Sequence, residues 1–452
     1  MILQFLEKPF LLHHMQSLQG AMEQEAQLQQ KNDPGALARR QATGVTAADL
    51  QLAKDKLAKS QECTQKEPDL NAVFMPRDAV ASQTQSVLQR FVVEKKSDLI
   101  EKTPVAANSV VPFADAVLRK GGNAIVDLFT HFGPDDPGWV SCLVAEAIVK
   151  VEGGPHKFNT GPAPINPISN KARIVLLADW GTGVPRAQDV AASARRCIQQ
   201  ADGQGRDVHV IHLGDVYYAG FKTEYDHNFL AYWPVRPDEA DKFSSYNLNG
   251  NHDMYSGGYD YFDYLLAEKR FKKQGGCSFF GLQNDFWQIL GLDSAYVDGD
   301  LVDPQPQWVL DTRSAAPHKQ GILLSHHQPF SSFETASPKL LEKLAPVLNQ
   351  NLVLGWWWGH EHRCALYSPR KDVRYGRCIG YGGVPIVAET TPCPNGVAYA
   401  YQDFVAGTKP LFARFGFTVL DFDQEKLHVQ YLGENGVPHM VEDVGAAVRA
   451  AG

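Results

Sequence analysis

Five apolar runs, each ending in a turn that carries Asp, Asn or His, restrict this chain more than any other feature. The plainest is Val208–Leu213, short and rich in β-branched residues, which reads as a buried parallel strand; Gly214 lets the chain turn sharply at its end. Asp215 and Tyr218 leave that strand end together. A carboxylate there can bridge two cations with its two oxygens, and a phenolate three residues on is a hard anionic donor suited to a trivalent ion such as Fe(III). The other runs behave alike. Arg173–Ala178 precedes Asp179, and Tyr246–Asn249 precedes Asn251 and His252. Gly321–Ser325 precedes His326 and His327, and Asn351–Trp358 precedes the GHEH stretch Gly359–His362.

From about residue 171 strands alternate with helical stretches, which predicts an α/β body of two packed mixed β-sheets flanked by helices. Loops at the carboxyl ends of such strands converge, so five separated motifs can build one site. Carboxylates, imidazoles, one amide oxygen and one phenolate are the donors that a pair of hard or borderline cations needs. His360 and His362 are expected on the same side of an extended segment, one imidazole for each metal. Ser278–Leu282 and Phe286–Leu292 predict a hairpin around Asn284-Asp285, while Val373–Ile379 and Phe415–Phe422 suggest a second sheet.

At 452 residues the chain exceeds the roughly 250 at which one core stops growing, so a smaller region should accompany the large one. Residues 1–165 are expected to be helical, residues 171–435 to form the catalytic body, and residues 436–452 to be a tail. In the first region Thr46-x-x-Asp49 resembles a capping box before Leu50, Ala53 and Leu57. Further helices are expected near Val110–Arg119, from Asn123, and after Pro137. These helices should pack on the body or oligomerise it. The Pro-rich stretch Gly154–Asn170 marks the boundary.

A net charge of -8 without long Lys/Arg runs argues against a nucleic-acid footprint. Seven scattered cysteines, none spaced as CxxC, suggest reduced thiols in a cytoplasm. The N-terminus lacks the pattern of a signal peptide, and no apolar run approaches the roughly 20 residues of a membrane span.

The motifs DWG, GDVYY, GNHD, LLSH and GHEH resemble those of the calcineurin-like metallophosphoesterases. Among these they resemble the purple acid phosphatases, whose pattern is DxG, GDxxY, GNH, a lone His and GHxH. DWGTGVP and GDVYYAG are similar to the small tartrate-resistant type, and the likeness spans about residues 171–435. In the wider superfamily the first motif is usually DxH with a ligating histidine. Gly181 stands there, and the resemblance implies that Tyr218 supplies the replaced ligand. It further implies an αββα sandwich and two metal ions, Fe(III) with a divalent Fe, Zn or Mn. The first would be held by Asp179, Tyr218 and His362, the second by Asn251, His326 and His360, with Asp215 bridging. The implied activity is acid-phosphatase-like hydrolysis of phosphate monoesters by a metal-bound hydroxide. A phosphodiesterase acting on nucleotides or phospholipid head groups, and a non-catalytic scaffold, stand as alternatives.

By the same resemblance His252 donates to phosphate or to the leaving group, with Asp253 either orienting it or serving as a structural cap. The family commonly has another active-site histidine about nine residues after the lone His, where this chain has Thr335; Glu334 is the candidate substitute. His327 is expected behind the ligands, and Arg363 and Arg186 near the mouth. Trp356–Trp358 should alternate between the core and the neighbouring sheet rather than form a substrate platform.

Overall fold

Along the second strand Ile174 and Leu176 face one way and Val175 and Leu177 the other, and this alternation defines the layers of the molecule. The computed structural model describes residues 8–43, 46–67, 81, 154–370, 372–384, 386, 392–405 and 413–445. In chain order its strands begin with β1 (Ile165–Pro167), β2 (Ala172–Leu177), β3 (Asp207–His212), β4 (Ser244–Asn247), β5 (Phe280–Gln283), β6 (Trp287–Leu292) and β7 (Gln320–Ser325). They continue with β8 (Gly355–Trp358), β9 (Cys364–Tyr367), β10 (Tyr375–Ile379), β11 (Val397–Ala400), β12 (Gly416–Asp423), β13 (Lys426–Gly433) and β14 (Pro438–Val444). An eight-stranded sheet has the order β1-β5-β6-β7-β8-β10-β9-β11, and a six-stranded sheet the order β14-β13-β12-β2-β3-β4. Strands β2, β3 and β4 run parallel to one another, as do β6, β7 and β8.

The two sheets bury their facing sides against each other: Ile174, Leu176, Ile211 and Leu420 meet Leu282, Ile289, Ile322, Leu324 and Trp357. The outer side of the six-stranded sheet, with Val175, Leu177 and Val210, packs on a helix spanning Pro185–Gly203 through Val190, Ala194 and Ile198. That segment is helical because its apolar residues recur every three to four positions and Pro185 sits where no amide donor is needed. The outer side of the eight-stranded sheet, with Leu323, Trp356 and Trp358, packs on helices Gln305–Ala315 and Pro338–Asn349 through Val309, Leu340 and Leu344. The tryptophan run alternates as its spacing predicts, with Trp357 between the sheets and its neighbours outside. The result is a helix–sheet–sheet–helix sandwich.

Ahead of the body lie α1 (Lys8–Gln30), α2 (Pro34–Thr43) and α3 (Ala47–Lys66). Leu11, Met15, Leu18, Met22 and Ala26 of α1 and Leu50, Ala53 and Leu57 of α3 are buried in one cluster at helical spacing. Helix α3 begins where Thr46 signals it. The same cluster takes in Tyr217, Tyr218, Ala219, Tyr255 and Val384 of the body, so the helices rest on its loops. The helices expected from residue 110 onward lie outside the described residues.

Three boundaries differ from the sequence expectation. Residues 165–167, inside the expected linker, form β1 and pair with β5. Residues 438–444, inside the expected tail, form β14 and pair with β13. The two late β-rich segments do not share a sheet: β10 pairs with β8, whereas β12 pairs with β2. Local alternation marks a strand but carries nothing about which partner closes its hydrogen bonds. The hairpin at Asn284 is present, with Gln283 opposite Gln288 and the Asn284 side chain accepting from the Phe286 and Trp287 amides. Among the described residues no helix is long and apolar enough to cross a membrane.

Candidate metal centre

The turns after β2, β3, β4, β7 and β8 carry Asp179, Asp215, Asn251, His326, and His360 with His362. The first three strands belong to one sheet and the last two to the other, and their turns meet at one end of the sandwich. Asp179 (φ 53°), Asp215 (φ 77°), His360 (φ 67°) and His362 (φ 48°) all adopt the left-handed backbone conformation that side chains disfavour. Such residues persist where the surroundings force them, and they cluster at functional sites. The GHEH segment is therefore bent, not extended as its spacing suggested. Two glycines let the chain pass the carboxylates: a Cβ on Gly250 would lie 2.1 Å from Asp215 Oδ1, and one on Gly359 2.5 Å from Asp179 Oδ2.

The side chains converge closely. His326 Nε2 lies 3.0 Å from Asn251 Oδ1, 3.1 Å from His360 Nδ1 and 3.4 Å from Asp215 Oδ1. His360 Nδ1 is 3.1 Å from Asn251 Oδ1, and its amide donates to Asp179 Oδ2 at 2.8 Å. His362 Nε2 is 3.5 Å from Asp179 Oδ1. Donor atoms of Asp179, Asp215 and His326 all lie within 4.8 Å of one another, as do those of His326, His327 and His360.

His326 Nδ1 faces the Leu213 carbonyl at 3.0 Å, an acceptor, so that nitrogen carries the ring proton. Burial, only partly offset by the Asp215 charge, brings His326 down to about 4, so the ring is neutral at pH 7 and Nε2 presents a bare lone pair. Asn251 Nδ2 donates to the Tyr255 hydroxyl at 2.7 Å, which turns Oδ1, another acceptor, toward that lone pair. In this orientation two acceptors stand 3.0 Å apart, an arrangement that a cation bound to both would make favourable. Burial and then the Asp215 charge push the Asp179 carboxyl well above its ordinary value. Burial would raise Asp215 too, but the imidazoles of His326, His252 and His360 outweigh it and hold Asp215 low. This donor set fits two metal ions.

Tyr218 was the tyrosine expected beside the first ion. The hydroxyl that meets Asp215 Oδ2 at 2.9 Å, His362 Nε2 at 3.0 Å and Asp179 Oδ1 at 3.3 Å is that of Tyr217, not Tyr218. Main-chain bonds hold the Tyr218 backbone: its amide donates to Glu224 Oε1 at 2.6 Å, and its carbonyl accepts from His252 Nδ1 at 2.7 Å. His252 is buried with its ring 4.4 Å from that of Tyr217, and its amide donates to Asp215 Oδ1. Asp253 is a cap: it accepts from the Asp215 and Gly250 amides and from the Tyr225 hydroxyl, tying the two loops together. Burial and the Asp215 charge raise Asp253 to about 7.

His327 lies beside His326 and His360, its Nε2 2.8 Å from Asp298 and its ring 4.6 Å from that of His360. Arg363 follows His362, stacks on Phe333 and sits 3.6 Å from buried Glu334. Arg186 is turned elsewhere, onto Glu434 at 2.6 Å. Sequence reasoning missed Glu224, whose carboxylate gathers the amides of Tyr218, Ala219 and Phe221. It also missed Tyr255 as the group that orients Asn251. The four-residue spacing of Asn251 and Tyr255 across one helical turn was a readable signal for the second; nothing local marked the first.

No curated protein matches the chain. Among solved structures it is similar to GAP50, the anchor in the inner membrane complex of Plasmodium, at 12% identity over 61% of this chain and 89% of that one, with a TM-score of 0.46. A predicted phosphoesterase from Streptococcus pneumoniae is similar at 10% identity over 61% and 98%, with a TM-score of 0.27. Vps29 of Chaetomium thermophilum is similar at 12% identity over 61% and 97%, with a TM-score of 0.24. Likenesses this low carry no argument about function. The calcineurin-like phosphoesterase family model matches residues 172–364, the segment that holds every side chain of the centre, and this match supports placing the body in that superfamily as a metal-dependent phosphoesterase.

Proposed function

We propose that the protein hydrolyses phosphate monoesters at a dinuclear centre, Fe(III) with a divalent ion. The observation that carries this reading is the convergence of buried donor atoms, those of Asp179, Asp215 and His326 all within 4.8 Å of one another, with Asn251 and His360 beside them. Asp179 and His362, with a tyrosine of the Tyr217–Tyr218 pair, would hold one ion, and Asn251, His326 and His360 the other, with Asp215 between them. When bound, two such ions polarise the phosphoryl oxygens and make a water nucleophilic near neutral pH.

The chain's own groups supply the rest. The His252 amide donates to Asp215 Oδ1, and the Tyr217 oxygen lies 2.9 Å from Asp215 Oδ2, so the carboxylate is held between them. The Tyr218 carbonyl accepts from His252 Nδ1, so His252 would donate from Nε2 to a phosphoryl or leaving oxygen in its doubly protonated, imidazolium form. Beside His362 opens a cleft lined by Phe333, Arg363, Tyr401 and Arg414. Aromatic walls with two guanidinium groups suit a small phosphorylated molecule carrying an apolar group. The described cysteines are free thiols, in keeping with a cytoplasmic setting.

The test is metal analysis of the purified protein together with rates on p-nitrophenyl phosphate and bis-p-nitrophenyl phosphate. About two metal equivalents and faster monoester turnover are expected. Faster diester turnover replaces the reading with a phosphodiesterase, and bound metal without turnover with a scaffold.

A further inference from the structure

The stretch GDVYYAG offers two adjacent tyrosines, and the structure gives them different surroundings. Tyr217 is fully buried, with its hydroxyl 2.9 Å from Asp215, 3.0 Å from His362 and 3.3 Å from Asp179. Those are the donors nominated for the first ion and the bridge. Two carboxylates and an imidazole nitrogen thus crowd one phenolic oxygen, which is the environment a cation would relieve. The residue is pinned on both sides of its main chain: its amide donates to the Gly181 carbonyl at 2.9 Å, and its carbonyl accepts from Asn228 Nδ2 at 2.9 Å.

Tyr218 is pinned differently. Glu224 and His252 hold its amide and carbonyl, and its side chain belongs to the apolar cluster built by Leu11, Met15, Leu50 and Leu57 of α1 and α3. We infer that Tyr217 is the phenolate ligand of the metal pair and that Tyr218 is the seat on which the N-terminal helices rest. Spacing alone would assign the ligand to Tyr218, so this departs from the motif the chain otherwise follows. The inference rests on the dinuclear reading above. Ligation replaces the phenolic O–H bond with a metal–oxygen bond, and the proton leaves to solvent. It also places the helical region one residue from a ligand, coupled through the shared Tyr217–Tyr218 backbone.

The experiment compares full-length wild type, Tyr217→Phe, Tyr218→Phe and Tyr217→His, each reconstituted with Fe(III) and Zn(II). Visible absorption from tyrosinate-to-iron charge transfer is read beside iron affinity by chelator competition. Tyr217→Phe should lose the band and weaken iron binding about tenfold or more, whereas Tyr218→Phe keeps both. Tyr217→His, which restores a donor at the same place, should recover affinity without the band. Loss of the band in Tyr218→Phe but not in Tyr217→Phe overturns the inference, as does unchanged iron affinity in Tyr217→Phe. Should Tyr217→Phe fail to fold, Tyr218→Phe and Tyr217→His decide the matter by the same two readouts. A wild type that takes up no metal pair defeats the dinuclear reading and the inference with it, a result visible before any variant is made.

Discussion

The six-stranded sheet supplies Asp179, Asp215 and Asn251, all oxygen donors, whereas the eight-stranded sheet supplies His326, His360 and His362, all nitrogen donors. The centre thus straddles the joint between the sheets, and each half is electrostatically poor alone. Burial pushes Asp179 toward its neutral form and likewise strips His326 and His360 of their charge. Cations resolve both problems at once, because they favour ionised carboxylates and neutral imidazoles together. The largest effect is expected from the one carboxylate placed between the halves. Asp215→Asn should lower phosphatase turnover by on the order of 10³-fold or more while circular dichroism stays unchanged. Retained turnover would mean that the oxygen half needs no bridge.

Metal removal probes the joint as a stabilising element. Ions that bind only the folded chain at about a hundred times their dissociation constant add roughly 3 kcal/mol, so chelation should lower the melting temperature by on the order of 5–10 °C. An unchanged melting curve would show that the sheets do not depend on the centre. Acid should then separate the two halves further. His326 sits near 4 when folded, against about 6.5 for a free imidazole, and so does His212, buried beside Asn247. Groups with depressed folded values contribute stability that is complete above pH 6.5 and is lost as the pH falls through 6.5 toward 4. Each contributes roughly 3 kcal/mol over that window. The metal-free protein should therefore destabilise steeply in mild acid, and His212→Gln should flatten the slope measured by denaturant titration at pH 7.5 and 4.5. A slope identical in that variant would remove His212 from the account.

Both halves of the centre were legible before any coordinates because every ligand follows an apolar strand, and strand ends in such folds converge. The pairing of the sheets was not legible. Strands β10 and β12 look alike in sequence yet join different sheets, since partner choice is settled by contacts far along the chain. Which tyrosine hydroxyl lies among the candidate ligands was not legible either: it is that of Tyr217, where the motif pointed to Tyr218. In a turn, side-chain direction follows from the backbone dihedrals and their anchors, here Gly181, Asn228 and Glu224, none of which spacing reveals. Glu224 was invisible for a related reason: its partners are main-chain amides, which leave no trace in residue identity.

The smallest expected effect lies on the nitrogen side, where Arg363 follows the ligand His362 and its guanidinium stacks on Phe333 at 4.2 Å. Its Nε donates to the Glu361 carbonyl at 3.1 Å and Glu334 stands 3.6 Å away, which places the guanidinium at the wall of the cleft beside His362. A contact from this partly solvated cation to a bound anion contributes on the order of 1 kcal/mol, which sets the scale for its removal. Arg363→Ala should raise KM for p-nitrophenyl phosphate about fivefold and leave kcat within about twofold, because the contact is made equally by bound substrate and transition state. A fall in kcat with a shifted pH profile would instead assign proton transfer to Glu334, the residue Arg363 holds in place. In that case the nitrogen side of the joint would contribute an acid as well as its three imidazoles, and the division between the two sheets would be one of chemistry as well as of ligands.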